Sequence, residues 1–186
     1  MDLIARGRST EGAELLTEAL AAHPDWSDAR ATLAALQAEG GDRRQALATL
    51  LAGVPIDPRR FALTAAQLQA ELNDAAGALQ TLDRVPTEAR GAAYHALAAA
   101  VAQRASQHQL AVTEYGAALG FEPTNAVAWV GMGISLQALG RDADALQAFR
   151  SAAGGTLSPD LRAFVESRIR VLKATTAVAG SPAAAR

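Results

Sequence analysis

Small and large apolar residues recur along the chain in a unit of about 33 residues. Gly12, Ala46, Ala78, Ala111 and Ala145 are separated by 34, 32, 33 and 34 residues, and a large apolar residue follows each of them four positions later. A spacing of four places both residues on the same face of an α-helix. Each unit is therefore predicted to contain a helix that packs through this face.

Turn-forming residues precede that helix and separate it from an earlier one. Gly41 and Gly140 stand five positions before the small residue, where a left-handed backbone favours glycine after the end of a helix. Asn73 occupies the same place in the third unit and tolerates the same conformation. Each unit is therefore predicted to be helix–turn–helix. The corresponding positions in the remaining units are Gly7 and Ser106.

The last unit carries the fullest signature, and it resembles the tetratricopeptide repeat. The resemblance implies an all-α fold, a right-handed superhelical solenoid of antiparallel helix pairs. Gly133 and Ala145 are expected where the two helices of a pair approach closely. Trp129 and Phe149 are expected to fill the space between successive pairs, with Trp129 wedged between the fourth and fifth repeats. The signature reads Trp129-x2-Met132-Gly133-x2-Leu136-x3-Gly140-x4-Ala145-x3-Phe149-x2-Ala152.

The repeat period divides the chain into segments. Ser158, Pro159 and the apolar residues that follow at helical spacing predict an N-capped helix that covers the last repeat. The half repeat is expected to hold a stub of a first helix at residues 3–6 and a second helix at about residues 10–22. The predicted solenoid spans residues 1–172, with a half repeat at 1–24, repeats at 25–58, 59–86, 87–123 and 124–157, a capping helix at 158–172 and a disordered tail at 173–186.

The half repeat at the start leads us to expect that the chain is part of a longer protein. Its helix would expose an apolar stripe that includes Leu15, Leu16 and Leu20. Burial of such side chains stabilises by about 1.5–3 kcal/mol each. Three outcomes stay open: the helix frays, a preceding segment covers it, or two chains form a weak homodimer through this end.

Composition and charge agree with an all-α protein and exclude several functions. The chain has 47 Ala and 23 Leu, the best helix formers, and only 4% aromatic residues. With 17 basic and 19 acidic residues, no basic field is available to bind nucleic acid. The absence of Cys removes disulfides, zinc ribbons and cysteine nucleophiles. No signal peptide or membrane span is recognisable, so we expect a soluble chain without direct membrane insertion.

Candidate catalytic or metal-binding residues do not form a site. His23, His95 and His108 lack the spacing of metal ligands, and each is expected to be packed or half-exposed. Gly131-Met132-Gly133 lacks the third glycine and the preceding strand of a dinucleotide loop. Glu11, Glu14 and Glu18 read as a solvated helix face. We therefore predict no catalytic residue, no cofactor, no metal and no enzymatic activity.

Tetratricopeptide proteins bind partners in a groove lined by the first helix of each repeat, and the resemblance implies which residues line it here. The groove reads as apolar and shallow, and it lacks the Lys/Asn/Arg clamp that holds a C-terminal carboxylate in chaperone-binding members. We expect a protein or peptide partner, although superhelical curvature and neighbouring helices could instead occlude this surface. The implied groove residues are Ala31, Ala35, Arg60, Leu63, Gln67, Ala96, Ala100, Gln103, Val127, Val130, Ile134 and Gln137.

Residues 126–149 and 157–168 resemble the last repeat and the capping helix of MshN-type proteins. That family belongs to the biogenesis system of the mannose-sensitive haemagglutinin (MSHA) type IV pilus. The resemblance implies a scaffold for pilus assembly on the periplasmic side of the inner membrane, beyond an N-terminal membrane segment. Two alternatives remain, a generic bacterial adaptor in secretion or exopolysaccharide export and the regulatory domain of a larger enzyme. A cytoplasmic location is the alternative to the periplasmic one.

Overall fold

The computed structural model describes residues 3–179 of the chain, and the side chains of residues 10–175. Within that part every regular element is helical, so the predicted all-α fold is confirmed. The helices are α1 (Leu3–Ala22), α2 (Ser27–Glu39), α3 (Arg43–Gly53), α4 (Pro58–Glu71), α5 (Ala75–Leu82), α6 (Ala92–Arg104), α7 (His108–Phe121), α8 (Ala126–Ala138), α9 (Asp142–Ala153) and α10 (Pro159–Ala179), with a 3₁₀ turn at Thr87–Ala89.

The helices fall into two compact units that divide between residues 89 and 90. In the first unit each helix from α1 to α5 packs against the next, and in the second unit each helix from α6 to α10 does the same. Short turns join consecutive helices, so neighbours run antiparallel. The division falls after the short third repeat.

Left-handed backbone occurs at four of the five predicted turn positions. The φ angle is 89° at Gly41, 71° at Gly140, 65° at Asn73 and 58° at Ser106. Each residue follows the first helix of a pair, where this conformation reverses the chain. The turn prediction is therefore confirmed for Gly41, Asn73 and Gly140.

The prediction for Gly7 is wrong, because this residue lies inside a continuous helix. Helix α1 runs from Leu3 to Ala22 without the predicted stub and turn. A glycine costs only about 0.5–1 kcal/mol within a helix. The helix formers on either side outweigh that cost.

Short polar side chains cap the beginnings of five helices, α3, α4, α5, α8 and α10. Asp42 Oδ1 accepts a hydrogen bond from the backbone N–H of Gln45 at 3.0 Å. Such caps satisfy backbone donors that have no partner within the helix. Pro58 is the first residue of α4, where a missing backbone N–H costs least. The equivalent caps are Asp57 on α4, Asp74 on α5 and Asn125 on α8.

Helix α10 begins as the sequence predicts and ends later. Ser158 Oγ accepts a hydrogen bond from the Leu161 N–H at 3.4 Å, and Pro159 is the first helical residue. The helix continues to Ala179. Residues 173–179, expected in a disordered tail, are therefore helical, and the rest of that expected tail lies outside the described residues.

The repeated small residues let the two helices of each pair approach closely. Ala46, Ala78, Ala111 and Ala145 are all fully buried. A Cβ atom at Gly133 would lie 2.8 Å from Cε1 of Phe149, so this position requires glycine. These contacts confirm the predicted close approach at Gly133 and Ala145.

The two predicted spacer aromatics differ in depth. Phe149 is fully buried, and its ring lies 6.1 Å from that of Phe164 on α10 in an edge-to-face arrangement. It therefore fills the space between the last helix pair and the capping helix. Trp129 is half-buried at the edge of the same core, and its Nε1 donates a hydrogen bond to the Pro123 carbonyl at 2.9 Å.

A glutamine on the first helix of three pairs is hydrogen-bonded to a hydroxyl on the second helix. Thr49 donates to Gln37 Oε1 at 2.7 Å, and Thr81 donates to Gln69 Oε1 at 2.6 Å. Tyr115 donates to Gln103 Oε1 at 3.1 Å. In each bond the donor and the acceptor are 12 residues apart, so the bond connects the two helices of one pair.

Candidate functional site

The first unit contains a groove between α2 and α4, with a cavity of about 310 Å³. Its floor consists of buried apolar side chains, among them Ala46 and Leu50 of α3 and Phe61 of α4. This volume is at the lower end of the range for ligand pockets in proteins. The groove can accommodate a few side chains or the edge of a helix.

The composition of α2 explains why this groove is open. Ala31, Ala34, Ala35 and Ala38 line its α2 side, and none extends beyond Cβ. The α4 side carries longer residues, Arg60, Thr64, Gln67 and Glu71. One wall is therefore smooth and apolar, and the other carries polar groups.

Ion pairs lie at both ends of the groove. Arg60 Nη2 lies 2.7 Å from Asp28 Oδ1, near the first residues of α4 and α2. At the other end Arg43 Nη1 lies 3.9 Å from Glu71 Oε2. All four side chains are substantially exposed, so each pair contributes at most about 1 kcal/mol to stability. These groups can therefore exchange their partners for those of a ligand at little cost.

The structure brings most of the groove residues predicted in this unit together. Ala31, Ala35, Arg60 and Gln67 all line the cavity, whereas Leu63 is half-buried outside it. The prediction did not include Thr64 and Glu71, which also line the cavity. Thr64 follows the predicted Leu63 by one residue, so the groove is wider than a single helical stripe.

The predicted residues of the second unit lie in different environments. Val127 and Ile134 are 62% and 37% exposed, and their spacing of seven places them on one face of α8. Ala96 and Ala100 on α6 are half-buried, as is Gln137.

Val130 must be corrected as a groove residue. It is 4% exposed and belongs to the core formed with Phe149 and Val165. That core gathers residues of α7, α8, α9 and α10, so helices on both sides of α8 contribute to it. A charge at residue 130 would therefore disturb folding rather than report on binding.

Gln103 is held in a hydrogen-bond network and is not available to bind a partner. Its Oε1 accepts from Tyr115 Oη, and its Nε2 lies 3.1 Å from both the Gly131 carbonyl and Ser135 Oγ. Burial raises the pKa of the Tyr115 hydroxyl. Through its three hydrogen bonds, the Gln103 side chain connects α6 to α7 and α8.

The histidines and glutamates form no metal-binding cluster in the described part of the chain. His95 Nδ1 lies 2.7 Å from Glu114 Oε2, and its ring stacks on that of Phe121 at 5.8 Å. Among residues 10–175, whose side chains are described, no cluster of three His, Asp or Glu side chains could hold a metal ion. Over the same range, no helix combines the length and apolar character that a membrane span requires.

The helix pairs, their turns and their small-residue contacts define a tetratricopeptide-repeat fold. Residues 3–63 match the family model described as "Tetratricopeptide repeat". Folds of this kind are typically non-catalytic scaffolds for protein interaction, with a binding surface built from successive repeats.

Solved structures of similar fold agree with this assignment. YrrB, a tetratricopeptide protein with an unusual peptide-binding site, is 17% identical with a TM-score of 0.71, over 88% of this chain and 84% of its own. MamA is 16% identical with a TM-score of 0.68, over 83% and 91%. A thermophilic tetratricopeptide protein from Thermus thermophilus is 21% identical with a TM-score of 0.58, over 90% and 94%. At these identities the likeness shows the fold, and no curated protein matches the sequence.

Proposed function

We propose that the protein is a non-enzymatic scaffold that binds a helical or extended segment of a partner protein in the groove between α2 and α4. The observation that carries this proposal is the cavity of about 310 Å³ above Leu50 and Phe61. Apolar side chains of a partner that enter it would be removed from water, which favours binding by about 25 cal/mol per Å² of apolar surface.

The two walls suggest how such a segment is held. The alanines of α2 let a partner backbone come close, while Arg60, Gln67 and Glu71 on α4 offer hydrogen bonds to it. Peptide segments are commonly recognised in this way, by apolar anchors in a groove and polar contacts at its edge. Because the charged pairs lie only at the ends, we expect affinity to depend weakly on salt.

A charge placed in the groove tests this site. Ala35 is exposed on the α2 wall, so Ala35→Glu should leave the fold intact and should place a desolvated carboxylate against any bound segment. Ala76 on α5 is also exposed and does not line the groove, so Ala76→Glu is the matched control. A photo-reactive residue at position 35, introduced in cells, should crosslink a partner that a probe at position 76 does not reach.

Two outcomes would overturn the groove as the site. Crosslinks of equal yield from positions 35 and 76 would show that the probes report random encounters. A partner whose affinity is the same for wild type and for Ala35→Glu, with both proteins folded by circular dichroism, must bind elsewhere.

We further propose that this scaffold serves the biogenesis of an MSHA-like type IV pilus, on the periplasmic side of the inner membrane. The support is the resemblance of residues 126–149 and 157–168 to MshN-type proteins. Deletion of the gene should reduce the number of pili seen by electron microscopy. Wild type and Ala76→Glu should restore them, and Ala35→Glu should not. Normal piliation in the deletion strain would exclude the pilus role without touching the groove assignment, which the crosslinks test.

A further inference from the structure

Arg30 is a buried cation that uses only part of its hydrogen-bonding capacity. It is the fourth residue of α2 and is 8% exposed. Its Nη2 donates a hydrogen bond to the Pro24 carbonyl at 2.6 Å, while its Nε is buried without a hydrogen-bond partner. A buried polar group without a partner is costly, so this arrangement calls for an explanation.

The equivalent position in the fifth repeat shows which side-chain hydrogen bond the turn requires. Trp129 also lies six residues after a proline, and the single N–H of its indole ring donates to the Pro123 carbonyl. Arg30 makes the equivalent bond with one of its five N–H groups. A neutral single donor therefore satisfies the turn, and the arginine adds a charge and further donors that the turn does not require.

No counter-charge balances this guanidinium within the part of the chain whose side chains are described. Each ion pair formed there involves another basic residue. The surroundings are nevertheless shaped for arginine, because a Cβ atom at Gly53 would lie 2.7 Å from Arg30 Cδ. The fold thus makes room for a buried positive charge and leaves it without an anion.

Arg30 lines a furrow between α1 and α3 with α2 as its floor. The furrow has a cavity of about 410 Å³, distinct from the groove between α2 and α4. Gln37 contributes an amide whose Oε1 accepts from Thr49 and whose NH₂ group supplies donors for a carboxylate. The aliphatic part of the lining is Leu20, Ala21, Leu33, Ala48 and Ala52.

We propose that this furrow is a binding site for a single carboxylate carried on an aliphatic stem. The carboxylate pairs with the guanidinium of Arg30, which matches its planar geometry and supplies the missing counter-charge. The stem lies on the aliphatic lining. Glu14 and Glu18 line the continuation of the furrow and disfavour ligands with several negative charges, such as phosphates or acidic runs.

This ligand chemistry has two sources, a free short-chain carboxylate and a Glu side chain of a partner protein. Hexanoate and hexanamide represent the first source as a charged and a neutral probe of equal length. The peptides Ac-Ala-Leu-Glu-Leu-Ala-NH₂ and Ac-Ala-Leu-Gln-Leu-Ala-NH₂ represent the second in the same way.

The Nε–H resonance of Arg30, followed by NMR in the wild-type protein, reports on the guanidinium directly. We expect a saturable shift with hexanoate and no shift with hexanamide. Tighter binding of the Glu peptide than of hexanoate would assign the site to a protein partner, and binding of hexanoate alone would assign it to a free carboxylate. If neither carboxylate probe shifts this resonance, or if the neutral probes shift it equally, the proposal is wrong.

Substitutions give a second readout. Arg30→Met keeps an unbranched stem beside Gly53 and removes the charge, and it should weaken hexanoate binding at least tenfold. Arg44→Met removes an exposed charge on α3 and should leave binding unchanged. Because Ala35→Glu alters only the groove, it should also leave hexanoate binding unchanged, which separates this site from the proposed partner groove. If Arg30→Met does not fold, the NMR titration of wild type still decides the question.

Discussion

Replacement of Gly131 by Ala tests the packing between α7 and α8. A Cβ atom at this position would lie 2.2 Å from Cζ and 2.3 Å from Oη of Tyr115, well inside van der Waals contact. The Tyr115 ring is only 7% exposed, and its hydroxyl is bonded to Gln103. The ring therefore cannot move aside without leaving its pocket and its hydrogen-bond partner.

The expected loss of stability follows from these contacts. Overpacking of a buried site costs about 1–3 kcal/mol. Loss of the bond between Tyr115 and Gln103 adds about 0.5–1.5 kcal/mol. Alanine in place of glycine within α8 returns about 1 kcal/mol through helix propensity. We therefore expect Gly131→Ala to lower the free energy of unfolding by about 1–3 kcal/mol in urea denaturation followed by circular dichroism.

Gly116 on α7 provides the control. A Cβ atom there would lie 3.7 Å from Met132 Cε, which is an ordinary contact, so Gly116→Ala should stabilise by about 0.5–1 kcal/mol. The penalty of Gly131→Ala should shrink when it is measured in a Tyr115→Leu background, because the smaller side chain removes the clash. If Gly131→Ala proves as stable as Gly116→Ala, the packing described for these two helices is incorrect.

Three further predictions concern turns, titration and caps. Ser106→Gly should raise the free energy of unfolding by about 1 kcal/mol and Gly140→Ala should lower it similarly, since both positions are left-handed; urea denaturation measures both. Burial raises the pKa of Tyr115, so above about pH 10 the unfolded chain loses the hydroxyl proton before the folded chain does, and the free energy of unfolding should fall as the pH rises. In alkaline titrations of stability, Tyr115→Phe should abolish that part of the fall. Asp74→Ala should cost about 1–2 kcal/mol in thermal denaturation because it removes a helix cap and a side-chain hydrogen bond, whereas Asp25→Ala at an exposed turn should cost little.

The sequence was sufficient to predict the repeat architecture because local rules govern it. A buried small residue is conspicuous when it returns at a constant period, as Ala46 and Ala145 do. Left-handed turn positions can be recognised in a sequence because they favour Gly and Asn. The same rules wrongly predict a turn at Gly7, because a glycine within a continuous helix costs too little to end it.

The depth and bonding of individual side chains could not be predicted in this way. Val130 is buried in a core that gathers residues of α7, α9 and α10, and no feature within α8 itself records that assembly. Gln103 bonds to atoms 12, 28 and 32 residues away, which only the assembled unit brings together. Arg30 did carry a usable signal, since it stands where the last repeat has Trp129, six residues after a proline.

The glutamine-to-hydroxyl bonds bear on how a chain of this kind can change length. Gln37 with Thr49, and Gln69 with Thr81, each lie within a single helix pair, so donor and acceptor are inherited together. An in-frame duplication or loss of one pair therefore creates no orphaned polar group of this type. Gln103, which also bonds to the following pair, marks a junction where such a recombination event would separate partners.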